Sequence, residues 1–265
     1  MHGPILGGTA GTRKPAAVGN TEPAMISVVI PTRNEARELP RSLACLVHLA
    51  TGDGAPEVLV VDGSSSDDTV SVARAFGANV SSSPRRQRAA QMNLGAARAT
   101  GEVLLFLHAD TQVPPAAGAM IQCALREPRV VGGGFHRRFE PGSRGLEWWS
   151  RAGALRARWS GWFFGDQAIF VRTRIFRETG GFQDLDLFEE VDLCRRLKRR
   201  GKLALLPGMV TTSARRFETG GRYRTMALDA WLTLRYALGA SPHRLAATLR
   251  RFRSGTAHRS EADPA

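Results

Sequence analysis

The chain has 265 residues, of which 43% are hydrophobic and 23% are charged, a balance that is typical of a globular protein. Its net charge is +13, and nearly all of the positive charge is arginine, since lysine occurs only at Lys14, Lys198 and Lys202. This charge indicates either an anionic partner (nucleic acid, anionic lipid or a phosphorylated small molecule) or a solvated arginine-rich surface.

The cysteines and the hydropathy pattern exclude several classes of protein. Cys45, Cys123 and Cys194 are far apart, which excludes a disulfide framework and a zinc site with closely spaced ligands. We expect three reduced thiols in a cytoplasmic protein. No apolar run approaches the roughly 18 residues of a membrane span, and the N-terminus lacks the pattern of a secretory signal.

The first 24 residues are rich in Gly, Pro, Thr and Ala, and we expect them to be disordered. Residues 5–15 (ILGGTAGTRKP) are similar to the phosphate loop of sugar nucleotidyltransferases. Their spacing is one residue too long, and no strand precedes them to orient the backbone amides. Met25 stands directly before the first predicted strand and is a candidate for the start of translation.

From Met25 the chain alternates between apolar strands and helical segments. The predicted elements are strand 26–30, helix 39–50, strand 57–62, helix 68–76, strand 79–82, helix 86–99 and strand 103–107. This β-α-β-α-β-α-β series predicts an α/β fold, with a doubly wound, mostly parallel sheet, helices on both faces and right-handed crossovers.

After Asp110 the predicted elements are less regular. They are helix 116–126, strand 130–139, an amphipathic aromatic segment 146–162, strand 168–171, helix 190–200, a strand pair 203–212 and C-terminal helices 223–238 and 242–252. We therefore divide the chain into one half over 25–110, a second half of the same domain over 111–217, C-terminal helices over 218–253 and a disordered tail over 254–265.

Polar residues gather directly after three predicted strands. The segments are PTRNE (31–35), DGSSSDDT (62–69) and HAD (108–110). Because ligands of an open parallel sheet bind outside the carboxyl ends of its strands, these segments predict one crevice. Neither GxGxxG nor GxxxxGK[ST] is present, which disfavours a dinucleotide site and a P-loop.

Four segments occur together in a characteristic order. They are SVVIPTRNEA (27–36), VLVVDGSSSDDT (58–69), AQMNLGAARATGEVLLFLHADT (90–111) and LFEEVDLCRRLKRRG (187–201). Over about residues 25–217 they resemble the motif series of family 2 glycosyltransferases, and HADT, GDQAIFV and EEVDL resemble a bacterial subgroup. The resemblance implies a GT-A fold, a nucleotide-diphosphate sugar donor, a divalent metal ion and transfer to an acceptor hydroxyl with inversion at the anomeric carbon.

Seven residues are expected to contact the donor. They are Pro31, Thr32, Glu35, Asp62, Asn93, Asp110 and Arg216. Some of these positions have a structural alternative, since Asp-Gly is turn chemistry at Asp62 and a carboxylate is favourable in the first turn of a helix at Glu35. For Arg216, the alternative to contact with the diphosphate is an ordinary position on the protein surface.

Asp110 is the expected metal ligand. A divalent cation neutralises the charge that a departing diphosphate acquires, and Mn²⁺ or Mg²⁺ prefers oxygen ligands. Many family members have aspartate at the position of His108. His108 is a candidate second metal ligand, since an imidazole can bind Mn²⁺. The two alternatives are a hydrogen bond to the substrate and a purely structural role.

The general base is expected in FEEVDL, residues 188–193. Acidic residues are stabilised at the start of a helix, which gives these side chains a structural alternative. The resemblance places Glu190 at the catalytic position of the family, where it would take the proton of an acceptor hydroxyl. Asp166 of GDQ is the alternative base, and Glu189 and Gln167 are the expected acceptor contacts.

Four tryptophans, Trp148, Trp149, Trp159 and Trp162, lie among arginines. They indicate either a helix docked on the core or contact with a lipid-linked acceptor or an anionic membrane, which would place the protein on the inner membrane face. Two other functions remain as alternatives. One is a basic nucleic-acid-binding protein, which has the charge but no recognised binding motif, and the other is a sugar-phosphate nucleotidyltransferase on a similar fold.

Overall fold

The structure, a computed structural model, describes residues 24–50 and 54–261, with side chains as far as Phe252. The expected disordered segment 1–24 therefore lies outside the described residues except for Ala24, as does the glycine-rich stretch 5–15.

Eight strands and ten α-helices lie within the described residues. The strands are β1 Ile26–Thr32, β2 Glu57–Asp62, β3 Asn79–Ser82, β4 Val103–Phe106, β5 Thr111–Gln112, β6 Val130–Glu140, β7 Ile169–Arg172 and β8 Lys202–Ser213. The helices are α1 Leu39–Ala44, α2 Thr69–Ala75, α3 Arg88–Arg98, α4 Ala117–Leu125, α5 Arg144–Ser160, α6 Thr173–Glu178, α7 Glu189–Lys198, α8 Arg215–Thr219, α9 Arg222–Ala237 and α10 Pro242–Glu261. Two 3₁₀ turns, Cys45–Leu49 and Gly165–Gln167, complete the set.

The predicted alternation of the N-terminal half is confirmed, since β1 to β4 alternate with α1 to α3. The strand pair predicted over 203–212 is wrong. Pro207 and Gly208 suggested a turn, but β8 is a single strand of 12 residues that bulges there, where its register with β6 shifts between Phe135 and His136. The short elements β5, α6 and α8 were not predicted.

The last helix is longer than the sequence pattern indicated. Helix α10 continues to Glu261, so the tail that we expected to be disordered from residue 254 is helical as far as that residue. The chain has no proline between Pro242 and Pro264, so no proline breaks the helix before residue 261.

The strands form one sheet in the order β3-β2-β1-β4-β7-β6-β8-β5. Strands β1 to β4 are mutually parallel because a helix returns the chain to the same edge after each strand. Strand β6 is parallel to β8, whereas β7 is antiparallel to both of its neighbours and β5 is antiparallel to β8. The predicted α/β class with a mostly parallel sheet and C-terminal helices is confirmed, and both halves of the chain contribute to the same sheet.

The reversed direction of β7 brings two separate segments to one edge of the sheet. Phe106 at the end of β4 is paired with Ile169 at the start of β7. The residues that precede β7 therefore lie beside those that follow β4. This places the 3₁₀ turn Gly165–Gln167 next to the HAD motif.

Apolar layers cover both faces of the sheet. Leu105 of β4 lies in one apolar layer together with Ile121 of α4. Leu104 lies in the opposite layer together with Leu197 of α7. All four side chains are buried. Because successive strand residues point to opposite faces, the continuous apolar run of β4 is explained by helices on both sides.

Cys45, Cys123 and Cys194 are free thiols, and burial raises the pKa of Cys194 to about 12, which keeps this thiol protonated. Within residues 24–50 and 54–261, none of the helices is both long enough and apolar enough to cross a bilayer.

Candidate active site

A cavity of about 560 Å³ lies where the chain leaves β1 and β4 and where α7 begins. Its wall includes seven of the predicted site residues, namely Pro31, Glu35, His108, Asp110, Asp166, Glu190 and Arg216. Aromatic side chains form other parts of the wall, namely Phe139 of β6, Trp149 of α5, Phe164 directly before the 3₁₀ turn and Phe217 of α8. The structure thus places the polar segments that follow β1 and β4 in one space with the acidic start of α7.

A second cavity, of about 1030 Å³, lies between α5 and the strands β6 and β8. It is larger, but it contains none of the predicted site residues. We take the smaller cavity as the candidate site because the titratable side chains converge there. Arg137 lines both cavities and separates them.

Helix α7 begins with two buried glutamates. The side chains of Glu189 and Glu190 are 5% and 7% exposed. Nη1 of Arg88 lies 3.8 Å from Oε1 of Glu189 and 3.7 Å from Oε1 of Glu190, so one guanidinium faces both carboxyl groups. The first turn of the helix adds its own positive potential.

The two glutamates differ in charge. Burial and the neighbouring charge of Glu190 raise the pKa of Glu189 to about 8, so this carboxyl group is mainly protonated at neutral pH. Burial acts on Glu190 in the same direction, but His108 and Arg88 outweigh it and hold the pKa of Glu190 below its ordinary value. The pair therefore shares one proton, with Glu190 as the ionised member.

The backbone before this pair is strained. Phe188 has φ 65° and ψ 20°, a left-handed conformation that costs a non-glycine residue roughly 1–3 kcal/mol. Its ring stacks on Tyr236 of α9 with 4.5 Å between centroids. The contact holds the strained residue in place, and it thereby fixes the direction in which Glu190 enters the cavity.

His108 presents a free nitrogen to Glu190. Its Nε2 lies 3.9 Å from Oε1 of Glu190, beyond hydrogen-bond distance, and this buried atom has no partner among the described residues. A Cβ added at Gly165 would lie 2.0 Å from that Nε2 and 2.7 Å from Oε1 of Glu190. Glycine at position 165 therefore lets the imidazole and the carboxylate approach each other.

Asp166 is engaged by a buried arginine. Nη1 of Arg137 donates to Oδ1 and Oδ2 of Asp166 at 2.6 and 2.5 Å, and the Arg137 side chain is only 4% exposed. Burial would raise the pKa of Asp166, but Arg137 holds it below its usual range. Asp166 is therefore ionised, and its oxygens are already hydrogen-bonded.

Arginines of α8 lie at the rim of the cavity. Arg215 donates to both carboxylate oxygens of Glu35 at 3.1 and 3.2 Å, which joins the segment after β1 to α8. Burial nevertheless raises the pKa of Glu35. Arg216 pairs with Asp229 of α9. Glu35 and Arg216 thus already have protein partners, although both face the cavity.

The acidic and imidazole groups fit a divalent ion only in part. Asp110 is half-buried in the cavity wall, and within the described ranges no three His, Cys, Asp or Glu side chains are grouped closely enough to form a metal site. One carboxylate and the unpartnered nitrogen of His108 suit an ion that takes its other ligands from phosphate oxygens and water. The donor set is therefore compatible with a metal that arrives with a diphosphate.

Asn93 and Gln167 are both hydrogen-bonded within the protein. Asn93 donates from Nδ2 to the carbonyl of Phe182 at 2.8 Å and accepts from the Phe182 N–H at 2.9 Å, so both of its polar atoms are occupied. Gln167 is fully buried, donates to the carbonyl of Phe135 at 3.1 Å and accepts from Arg156 at 2.9 Å. Neither side chain is available to a substrate in this conformation.

Three other predicted residues lie outside the cavity wall. Asp62 accepts hydrogen bonds from the backbone N–H of Ser65 at 2.9 Å and from the Ser65 hydroxyl. These bonds stabilise the turn, which was the structural alternative to a contact with the donor. Thr32 is buried beside it. Glu189 is buried under Arg88 and does not line the cavity, and its contact with an acceptor stays a prediction.

Several residues of the cavity wall were not among the predicted site residues. They include Arg88, Arg137 and Gly165, which directly precedes Asp166 in GDQ. Trp149 also lines the wall, and it belongs to the tryptophan-rich segment for which contact with an acceptor was one of the alternatives. The available signal for Arg137 was its alternation with Phe139 in β6, which places it on the same face of the strand as an apolar side chain.

Comparisons with known proteins give the family and the fold. A curated relative, a PGL/p-HBAD biosynthesis glycosyltransferase of Mycobacterium bovis, is 38% identical over 92 residues, which cover 32% of this chain and only 35% of that relative. An uncharacterized protein of Mycobacterium tuberculosis is 25% identical over 222 residues, covering 72% of this chain and 68% of that protein.

Two solved structures share the fold. The mannosyltransferase PcManGT from Pyrobaculum calidifontis, in complex with GDP-Man and Mn²⁺, has a TM-score of 0.60 at 17% identity and covers 96% of this chain and 80% of its own. S. aureus TarS 1-349 in complex with UDP has a TM-score of 0.57 at 17% identity, covering 77% and 64%. The expected GT-A architecture is confirmed. The model of the family described as "Glycosyl transferase family 2" matches residues 27–184, more than half of the chain, so this protein belongs to glycosyl transferase family 2.

Proposed function

We propose that this protein transfers a sugar from a nucleotide-diphosphate sugar to an acceptor hydroxyl with inversion at the anomeric carbon, and that Glu190 is the general base. The observation that carries this proposal is the ionised Glu190 in the cavity wall, between Arg88 and the free nitrogen of His108. Family membership supports the reaction class.

The proposed step is a single in-line displacement. The carboxylate of Glu190 takes the proton of the acceptor hydroxyl while that oxygen forms a bond to the anomeric carbon. The bond between this carbon and the diphosphate breaks, and its electron pair remains on the diphosphate oxygen. One displacement at carbon gives the inverted product.

Glu190 suits the base role better than Asp166 does. The Asp166 carboxylate accepts two hydrogen bonds from Arg137, which occupy both of its oxygens and fix its orientation. Glu190 has a guanidinium and an imidazole near it, but neither is within hydrogen-bond distance. We propose that Asp166 and Arg137 instead orient the acceptor side of the cavity.

Asp110 is the residue that we propose to hold a divalent metal ion together with the diphosphate. A bound Mn²⁺ or Mg²⁺ would neutralise negative charge on the leaving group. His108 lies in the same cavity, but its Nε2 is next to Glu190, so we assign it to the base or to the substrate. A structural neighbour that was solved with GDP-Man and Mn²⁺ supports the expectation of a metal.

The donor would lie along the segments that follow β1 and β4. Pro31 and Glu35 line the cavity, and Thr32 and Asp62 shape the adjoining turn. Arg215 and Arg216 at the rim are the nearest candidates for the diphosphate, once they exchange their present carboxylate partners. The solved relatives bind UDP or GDP-Man, which supports a donor of this class.

The acceptor that we propose is lipid-linked, and the protein is peripheral on the cytoplasmic face of a membrane. Trp149 lines the cavity, and its neighbour Trp148 is 63% exposed on the same helix. Together the two tryptophans provide apolar surface both in the cavity wall and outside it. Such a surface suits an acceptor whose hydroxyl reacts in the cavity while its hydrophobic part stays outside the cavity.

Thermal stabilisation against UDP-, GDP- and dTDP-sugars, each with and without Mn²⁺, tests the donor, because a ligand of the native state raises its stability. A metal-dependent shift with one nucleotide class is the expected result. Turnover should release the nucleoside diphosphate. Release of pyrophosphate would instead indicate a nucleotidyltransferase, and steeply salt-dependent binding of DNA without any nucleotide-sugar effect would indicate a nucleic-acid-binding protein.

A further inference from the structure

Helix α5 presents large apolar side chains on its outer surface. Trp148, Leu155 and Trp159 are 63%, 59% and 81% exposed. They are spaced seven and four residues apart, so they form one stripe along the helix. Isolated exposed apolar residues need no explanation, but a continuous stripe that contains two tryptophans does.

Arginines line one side of this stripe. Arg144, Arg151 and Arg158 recur every seven residues and are all exposed. None of these three arginines forms an ion pair within the part of the chain that the structure describes. Glu147 is the single acidic residue of α5, so the surface carries a net positive charge.

The inner face of the same helix is fixed to the protein. Leu146 and Ala157 are buried, and Gly153 packs against Arg137. A Cβ added at Gly153 would lie 3.1 Å from Nη2 of Arg137. Gly161 ends the helix in a left-handed conformation. The stripe therefore belongs to a rigid element and lies on its outer side, where Arg151, Leu155 and Arg158 also border the cavity between α5 and the strands β6 and β8.

We propose that this surface, the Trp–Arg face (Arg144, Trp148, Arg151, Leu155, Arg158 and Trp159), docks on an anionic phospholipid bilayer. Tryptophans and leucine would enter the interfacial layer while the arginines contact lipid phosphates, as in helices that lie in the plane of a membrane. Charge complementarity selects an anionic bilayer. Leu155 in the middle of the stripe gives no stacking surface for a base, which disfavours single-stranded nucleic acid at this face.

The docking surface does not depend on the reaction proposed above, and its test is separate from any assay of transfer. The full chain is floated with vesicles of phosphatidylcholine alone and with vesicles that also contain phosphatidylglycerol. We expect binding only to the anionic vesicles, with weaker binding as the salt concentration rises. Arg151→Glu and Arg158→Glu should each weaken binding at least about fivefold, and Trp159→Ala about tenfold.

Exposed residues in α2 and directly after it, near the opposite edge of the sheet, provide matched controls. Arg74→Glu and Phe76→Ala remove one exposed arginine and one exposed aromatic ring. These variants should bind vesicles like the parent. Thermal melting with nucleotide-sugar would show that all variants keep the folded site.

Three results would overturn the proposal. The first is that the parent chain shows no preference for anionic vesicles. The second is that the α5 variants bind as well as the α2 controls. The third is that duplex DNA binds to this face and is lost in the α5 variants while vesicles are ignored, which would assign the face to nucleic acid.

Discussion

Nε2 of His108 lies 3.9 Å from Oε1 of Glu190, although 82 positions of sequence separate the two residues. The pair joins the segment after β4 to the first turn of α7, so the two motifs act on the same space. His108 lowers the pKa of Glu190 and so favours the ionised carboxylate. This relationship explains how a buried glutamate remains available to accept a proton.

Glu190→Gln should reduce transfer roughly 10²–10⁴-fold, because the amide cannot accept the proton of the acceptor hydroxyl. Binding of the nucleotide-sugar should persist, and thermal stabilisation by the donor measures it. Glu178→Gln, on the surface helix α6, is the control and should turn over like the parent. Parental turnover in the Glu190 variant would refute the assignment of the base.

His108→Ala should move the acidic limb of the pH–rate profile to higher pH. His108 lowers the pKa of Glu190, so without the imidazole this pKa rises and the base ionises only at higher pH. The dependence of the rate on Mn²⁺ concentration should stay near that of the parent. His243→Ala, at an exposed position of α10, controls for the loss of a histidine.

Asp110→Ala should strongly raise the Mn²⁺ concentration that half-maximal activity needs, because it removes the carboxylate that we propose as the metal ligand. A titration of activity against Mn²⁺ compares this variant with His108→Ala. If both variants need much more Mn²⁺ than the parent, then both residues are ligands, and the role of His108 beside the base would have to be abandoned.

Gly165→Ala should lower both stability and activity. Its Cβ would come within 2.0 Å of Nε2 of His108, and relief of such overpacking costs about 1–3 kcal/mol. Unfolding in urea and initial rates measure the two effects. Gly142→Ala is the matched control, since the nearest atom to its Cβ lies at 3.5 Å. Equal behaviour of the two variants would contradict the close contact.

Arg137→Met should destabilise the protein by about 3–5 kcal/mol, because it leaves the carboxylate of Asp166 unpaired in a largely buried position. Arg174→Met breaks an exposed pair with Glu178 and should cost about 0–1 kcal/mol. Urea unfolding of the two variants gives the comparison. A loss at Arg137 as small as that at Arg174 would show that Asp166 finds another partner.

Glu189 gives the protein a pH-dependent stability of unusual sign. Its folded-state pKa of about 8 lies above the ordinary value of 4.5, so between these values the native state binds a proton that the unfolded chain has released. The free energy of unfolding should therefore fall as the pH rises through this window.

Glu189→Gln should remove this pH dependence of the free energy of unfolding. The variant should therefore become more stable relative to the parent as the pH rises. Urea unfolding across the window measures the effect, and Glu218→Gln on an exposed position of α8 should leave the parental slope unchanged. A slope that is the same in parent and Glu189→Gln would mean that Glu189 is ionised in the folded protein.

Local patterns predicted the strands and the polar segments that follow them, because apolar runs and turn residues act over a few neighbours. The same patterns could not show which partners a polar side chain would find. Asn93 bonds to Phe182 and Gln167 bonds to Phe135 across long stretches of chain. The bulge at Pro207 and Gly208 also depends on a distant strand, β6, so its local sequence suggested a turn.

The close approach of Gly165 to His108 also limits how this site can vary. A Cβ at position 165 would lie 2.0 Å from Nε2 of His108 and 2.7 Å from Oε1 of Glu190, so two side chains occupy the space that a larger residue there would need. A shorter side chain at position 108 would remove the first of these contacts and leave the second. The effects of substitution at 108 and 165 should then be non-additive, and replacement of His108 alone would not restore a free choice of residue at 165.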